Sequence, residues 1–133
     1  MTTINRKTRQ FTDFNLLFTA HPATADITKK VDEEAVKASI RNLIQTKNYE
    51  RPFHPEIGCQ IYSLLFENFS SVTRQVMKKT IIDVIDKFEP RAKLVDVRIG
   101  ENVDNNSIDV DVVFKLINTD RPITLRTAIT RVR

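Results

Sequence analysis

Apolar and polar positions divide this chain into a helical half and a stranded half. In residues 70–91, Val72, Val76, Met77, Ile81, Val84, Ile85 and Phe88 recur every three or four positions, the spacing that lines one face of an α-helix. Arg74, Lys78, Lys79, Asp83, Asp86 and Lys87 fill the remaining positions, as on a helix half in water. Ser70 and Ser71 can cap its start, because a hydroxyl oxygen accepts from the free amides of the first turn. Pro90 disfavours helical backbone at Glu89, so the helix is predicted to stop near Phe88. A second amphipathic run begins at Asp32, which can cap, with Glu33 and Glu34 at the positive end of the helix dipole. Its stripe is Ala35, Val36, Ile40, Leu43 and Ile44, and it is predicted to end near Thr46.

After Arg91 the period falls to two. Val95, Val97 and Ile99 alternate with Asp96 and Arg98; Ile108, Val110, Val112, Phe114 and Leu116 alternate with Asp109, Asp111, Val113 and Lys115. Ile123, Leu125, Thr127 and Ile129 do so with Thr124, Arg126, Ala128 and Thr130. Turns at residues 102–106 and 118–122 separate the three runs. The expected register puts Val97 opposite Val110, Arg98 opposite Asp109 and Asp96 opposite Asp111. The predicted fold class is α+β: a three-stranded antiparallel C-terminal meander packed against two main helices. Residues 1–31 form an N-terminal arm and residues 32–133 a single α+β domain.

In the arm, Phe11, Phe14, Leu16, Leu17 and Phe18 cluster. They fold over the core or lie on a neighbouring subunit, where exposed aromatics gather. Residues 27–31 read as a short strand. Residues 49–58 are a connector that two prolines hold extended, with Gly58 free to take positive φ. Residues 59–68 read as a short helix with Ile61, Leu64, Leu65 and Phe69 inward.

The length of 133 residues suggests one domain, and 41% hydrophobic with 29% charged residues is ordinary for a globule. A net charge of +4 without a Lys/Arg block interleaved with aromatics does not predict nucleic-acid binding. The single Cys59 rules out an internal disulfide, and with only His21 and His54 it makes no ordinary zinc site. No cofactor, membrane span or signal-peptide core is expected. Cys59 and His54 carry no signature of a cysteine enzyme. Glu56, Glu67 and Glu89 could supply the two carboxylates that a glycosidase sets about 5–10 Å apart, with only Tyr62 and Phe66 nearby to build a sugar site. Glu89 and Arg91 read as a solvated ion pair worth about 0–1 kcal/mol or as a docking site. Arg121, Arg126, Arg131 and Arg133 either blunt an exposed edge or mark one that pairs with another chain.

Three blocks carry a family resemblance. Arg51-Pro52-Phe53-His54-Pro55-Glu56-Ile57-Gly58-Cys59, Leu65-Phe66-Glu67-Asn68 and the helix closing on Phe88-Glu89-Pro90-Arg91 resemble the baseplate wedge proteins of contractile-tailed bacteriophages. Relatives include the baseplate component of type VI secretion systems, and the family is often labelled "lysozyme-like". The resemblance runs from about Asp32 to the C-terminus. It implies a structural, non-enzymatic part in the tail baseplate of a virion assembled in the host cytoplasm. It implies that Glu89, Pro90 and Arg91 dock on the helical core bundle of other wedge subunits. It also implies that Ile123, Thr124, Leu125, Arg126, Thr127, Ala128 and Ile129 form the edge where the tail sheath protein adds a strand. Arg51, Pro52, Phe53, Pro55, Glu56 and Gly58 would be a structural connector. Neither membrane nor nucleic acid is an implied partner. The alternative is a peptidoglycan-degrading, lysozyme-like hydrolase of the tail.

Overall fold

Residues 10–131 are described by the computed structural model. In chain order they form β1 (Thr12–Phe14), β2 (Lys29–Val31), α1 (Asp32–Gln45), α2 (Ile61–Leu64), α3 (Ser71–Phe88), β3 (Ala92–Asn102), β4 (Ser107–Leu116) and β5 (Thr119–Thr130). β1 and β2 make a separate antiparallel ribbon, while β3, β4 and β5 form the antiparallel meander with β4 in the centre. α3 packs mainly on β3, and α1 packs against α3 and β5. The α+β class and the helix-covered meander are thus as the patterns predicted.

The long helix begins and ends where its chemistry requires. Ser70 Oγ accepts the Thr73 amide at 3.1 Å, and the helix stops at Phe88, two residues before Pro90. Its buried stripe is narrower than expected: Thr73, Met77, Ile81 and Ile85, a strict i, i+4 row. Val72 and Val76, one position ahead of that row, are exposed. In α1 the five predicted apolar residues are all buried. Asp32 does not cap, however. It sits at φ 44°, its Oδ1 accepts the Phe11 amide at 2.8 Å, and its own amide donates to Phe11 O at 2.7 Å.

The sheet departs from the expected alternation at one residue. A bulge between Leu94 and Asp96 extrudes Val95, which is 55% exposed. The extra residue switches parity, so Ala92 precedes the bulge on the core side and Val97 and Ile99 follow it there. The four-residue turn 103–106, with Asn106 at φ 47°, sets the register: Asn102 meets Ser107, and Val97 meets Val112 rather than Val110. Arg98 therefore faces Asp111, Asp96 faces Val113, and the expected Asp96–Asp111 clash does not arise. The Asp96 carboxylate accepts from Lys78 at 2.9 Å and Arg98 at 3.2 Å. These bonds, Lys78's first, hold its pKa below the usual carboxylate value. β5 starts at Thr119, earlier than predicted, after a tight turn at residues 117–118.

The connector is not extended. It closes on itself through successive turns, with Tyr49 N donating to Pro55 O at 3.0 Å and Ile57 N to His54 O at 3.2 Å. Cys59 N to Thr46 O at 2.8 Å pins its two ends. Tyr49 and Phe53 both take φ 68°, and Gly58 takes φ 146°. A Cβ on Gly58 would lie 2.7 Å from Lys47 O and 2.9 Å from Asn48 N, so only glycine fits that crossing.

Candidate functional site

The end of α3 is built from a charge pair. A carboxylate at the C-terminal end of a helix is unfavourable alone, and Glu89 is also only 2% exposed. Arg91 resolves both problems. Its Nε donates to Glu89 Oε1 at 2.6 Å and its Nη2 to Oε2 at 2.9 Å, a bidentate fork. Its remaining terminal nitrogen, Nη1, donates to Asp13 Oδ1 at 2.9 Å and Oδ2 at 3.0 Å. The guanidinium also lies 5.7 Å from the Phe11 ring centroid. The hydrogen bond to Glu89, and secondarily that to Asp13, pushes the Arg91 pKa further up. The pair is therefore not the solvated surface contact that its spacing suggested. It is a brace buried at Glu89 and partly exposed at Arg91 and Asp13, and it joins α3, the start of β3 and the arm. The backbone adds to it, since Ile117 N donates to Arg91 O at 3.1 Å.

Pro90 faces outward from this brace. Together with Ile82, Asp86, Leu94, Val95 and Ile117 it lines a cleft of about 590 Å³ between α3 and the β3 edge. The bulged Val95 and the turn residue Ile117 are both exposed. The sequence reading missed this cleft. Its one signal was Ile117, an apolar residue just before the turn predicted at residues 118–122.

The second feature is the outer edge of β5, which pairs with no strand among the described residues. Arg131 N donates to Asn106 O at 2.9 Å in register with the Ser107–Thr130 pair. By alternation, Ile123, Leu125, Thr127 and Ile129 turn their backbone groups toward β4, and Thr124, Arg126 and Ala128 turn theirs outward. Pro122, which has no amide to offer, falls at an outward position. Ile123, Leu125 and Ile129 are buried in the core, while Thr124, Arg126 and Ala128 are exposed. Arg126 lies 3.4 Å from Asp111 and Arg131 lies 3.2 Å from Glu101, so neither is an isolated cation. Arg121 is exposed, and Arg133 lies outside the described residues.

The groups considered for catalysis do not converge. Cys59 is buried, and burial pushes its thiol up to about 11, leaving it protonated at neutral pH. Glu89 is bound in the Arg91 fork, Glu56 is exposed beside His54 at 3.2 Å, and Glu67 lines a different shallow cleft with Glu101 and Arg131. Among the described residues no group of three or more His, Cys, Asp or Glu could hold a metal, and no helix is long and apolar enough to cross a membrane.

A family profile described as baseplate wedge protein gp25 matches residues 30–121. The chain belongs to this family. It is a structural component of a virion tail baseplate. The baseplate wedge protein gp25 of Enterobacteria phage T4 is 28% identical over 93 residues, covering 70% of each chain. Among solved structures, the anti-feeding prophage baseplate contains a chain of TM-score 0.65 and 22% identity, covering 93% of this chain and 88% of that one. A chain from Geobacter sulfurreducens described as a "putative tail lysozyme" has TM-score 0.70 and 22% identity, covering 76% and 92%. The postcontracted pyocin R2 baseplate contains another, at TM-score 0.54 and 16% identity, covering 84% and 96%. The matched range spans the connector, α3 and Glu89, Pro90 and Arg91; it leaves out Asp13 and ends within the first residues of β5.

Proposed function

We propose that this baseplate protein docks on the core bundle of other wedge subunits through the Pro90 cleft beside the Glu89–Arg91 brace. From there it starts the contractile sheath by accepting a strand along β5, and it carries out no catalysis. The regular outer side of β5 carries the reading. Natural edges are often blunted to prevent stray pairing; the Val95 bulge interrupts β3 at one point, and the pairing of β5 with β4 shifts once, before Pro122. β5 keeps an uninterrupted register with β4 from Ile123 to Thr130, so its outer side is a regular row of free amides and carbonyls. A guest strand would gain about 0.5–1.5 kcal/mol net per backbone hydrogen bond. Its side chains would lie beside the shallow hollow formed by Asp109, Asp111, Arg126 and Ala128.

The parity of β5 decides how to test it. Proline at Leu125 or Thr127 would break the ladder to β4, whereas proline at Ala128 removes only an outward amide. Particles carrying Ala128→Pro are expected to complete their baseplates but polymerise no sheath, while Ala128→Val particles make normal tails. Full-length sheaths on the proline particles, seen by electron microscopy, would refute strand addition.

The docking half is tested at the cleft wall. Ile117 is 69% exposed, so Ile117→Asp should change folding stability by no more than about 0.5 kcal/mol. Its incorporation into wedges, measured by co-purification with the other wedge subunits of its phage, is expected to fall about tenfold. Incorporation at the wild-type level would remove the cleft from the docking site.

A further inference from the structure

The sheet has a second face, turned away from the helices, and its charges are unevenly matched. The register aligns two short rows of residues there, across the three strands. One row is Arg98, Asp111 and Arg126, and the next is Gly100, Asp109 and Ala128. The first row holds a surplus cation. Arg126 reaches Asp111 at 3.4 Å and Arg98 reaches Asp96 at 3.2 Å, but Asp96 already holds Lys78 at 2.9 Å. Three cations thus share two carboxylates, and Arg126, at the β5 margin, has the longest of these contacts. Its side chain is 83% exposed.

The second row holds the opposite surplus. Asp109 is exposed between Gly100 and Ala128, neither of which has a polar side chain to offer. Among the described residues its carboxylate meets only Asn102 Nδ2, at 3.4 Å, and no cation. A Cβ on Gly100 would meet nothing within 4 Å. The result is an open hollow of about 490 Å³ whose lining includes Asp109, Asp111, Arg126 and Ala128. Ala128 is too short to cover Asp109, so that carboxylate is open to a side chain arriving from beyond β5. Two strand spacings, about 10 Å, separate Asp109 from a strand laid along the β5 edge, a gap suited to lysine or arginine. Opposite charges on neighbouring strands attract and like charges repel, so each row selects the charge that is added to it.

We infer that the strand received by β5 is marked by two charges on this open face: an Asp or Glu beside Arg126 and, two residues away, a Lys or Arg that reaches across Ala128 to Asp109. The inference rests on strand addition at β5 and names the chemistry of the guest. Residues two apart on a strand share a face, so one extended segment supplies both charges whichever way it runs. The two rows also fix its register. A slip by two residues sets the guest's cation beside Arg126 or its carboxylate beside Asp109.

The test uses baseplates assembled with variant chains and measures the concentration of purified tail sheath protein at which half of them carry sheath. Arg126→Glu is expected to raise that concentration about tenfold, and Arg126→Lys to leave it near the wild-type value. Ala128→Arg, which puts a competing cation beside Asp109, should raise it severalfold, whereas Ala128→Glu should not. Both positions are exposed, so thermal unfolding of the isolated variants should barely move. A wild-type value for Arg126→Glu overturns the inference. So do equal losses in Ala128→Arg and Ala128→Glu, which would make size rather than charge the criterion. Ala128→Pro run in parallel separates this inference from the reading beneath it. Sheath blocked by the proline but indifferent to the charge variants sinks the charge marks alone; sheath on the proline particles sinks strand addition and the marks with it.

Discussion

Arg91→Ala is expected to lower folding stability by about 3–5 kcal/mol, as breaking a buried ion pair from one side does. The reason lies in Glu89. At 2% exposure its carboxylate has almost no water to turn to, and both oxygens are held by the guanidinium. Removing Arg91 leaves that charge at the negative end of α3, where the helix dipole opposes it. The contact with Asp13 adds less, since Asp13 is 37% exposed and Arg91 25%, so water screens it. Urea unfolding measures the loss. The double variant Glu89→Leu/Arg91→Met should recover most of it, because apolar replacement of both partners is often neutral or stabilising. A loss under about 1 kcal/mol in Arg91→Ala would mean that the carboxylate is not truly enclosed. The same physics makes Arg91→Ala a poor probe of docking, since it injures the fold first.

Gly58→Ala is the second large effect, expected at roughly 2–4 kcal/mol. Two penalties coincide there. φ 146° is a backbone state that side-chain-bearing residues rarely adopt, and the new methyl would meet Lys47 O at 2.7 Å and Lys47 C at 2.8 Å. Those neighbours are backbone, so they cannot rotate away. The only escape is to separate residues 46–48 from 58–59, which breaks the Cys59 N to Thr46 O bond and loosens the buried Cys59 and Ile61. Gly100→Ala is the control. A Cβ there meets nothing within 4 Å, so the change should be neutral or stabilising by up to about 1 kcal/mol. Equal unfolding midpoints for the two alanine variants would contradict the close crossing.

What the sequence could and could not disclose follows from range. The α1 stripe and the inward rows of β4 and β5 rest on local periodicity, the stop at Phe88 rests on Pro90, and all were legible. Val95 was misassigned because a bulge adds one residue without changing residue type, so the alternation reads as continuous. The register of β3 on β4 depended on turn length, which Asn-rich loops leave open. Val72 and Val76 were placed inward because valine suits either face, and only the packed sheet narrows the stripe. Glu89 and Arg91 were visible as a pair, but the second partner of Arg91, Asp13, lies 78 residues away. The Pro90 cleft combines a bulge, a turn and a helix end, three elements that no window of sequence holds together.

A bulge that pushes one valine out of its row has a second effect. It sets that side chain, 55% exposed, beside Pro90 and Ile117 in the wall of the cleft, so a single inserted residue both breaks the alternation of β3 and supplies oily lining to a surface that strict alternation would not have put there.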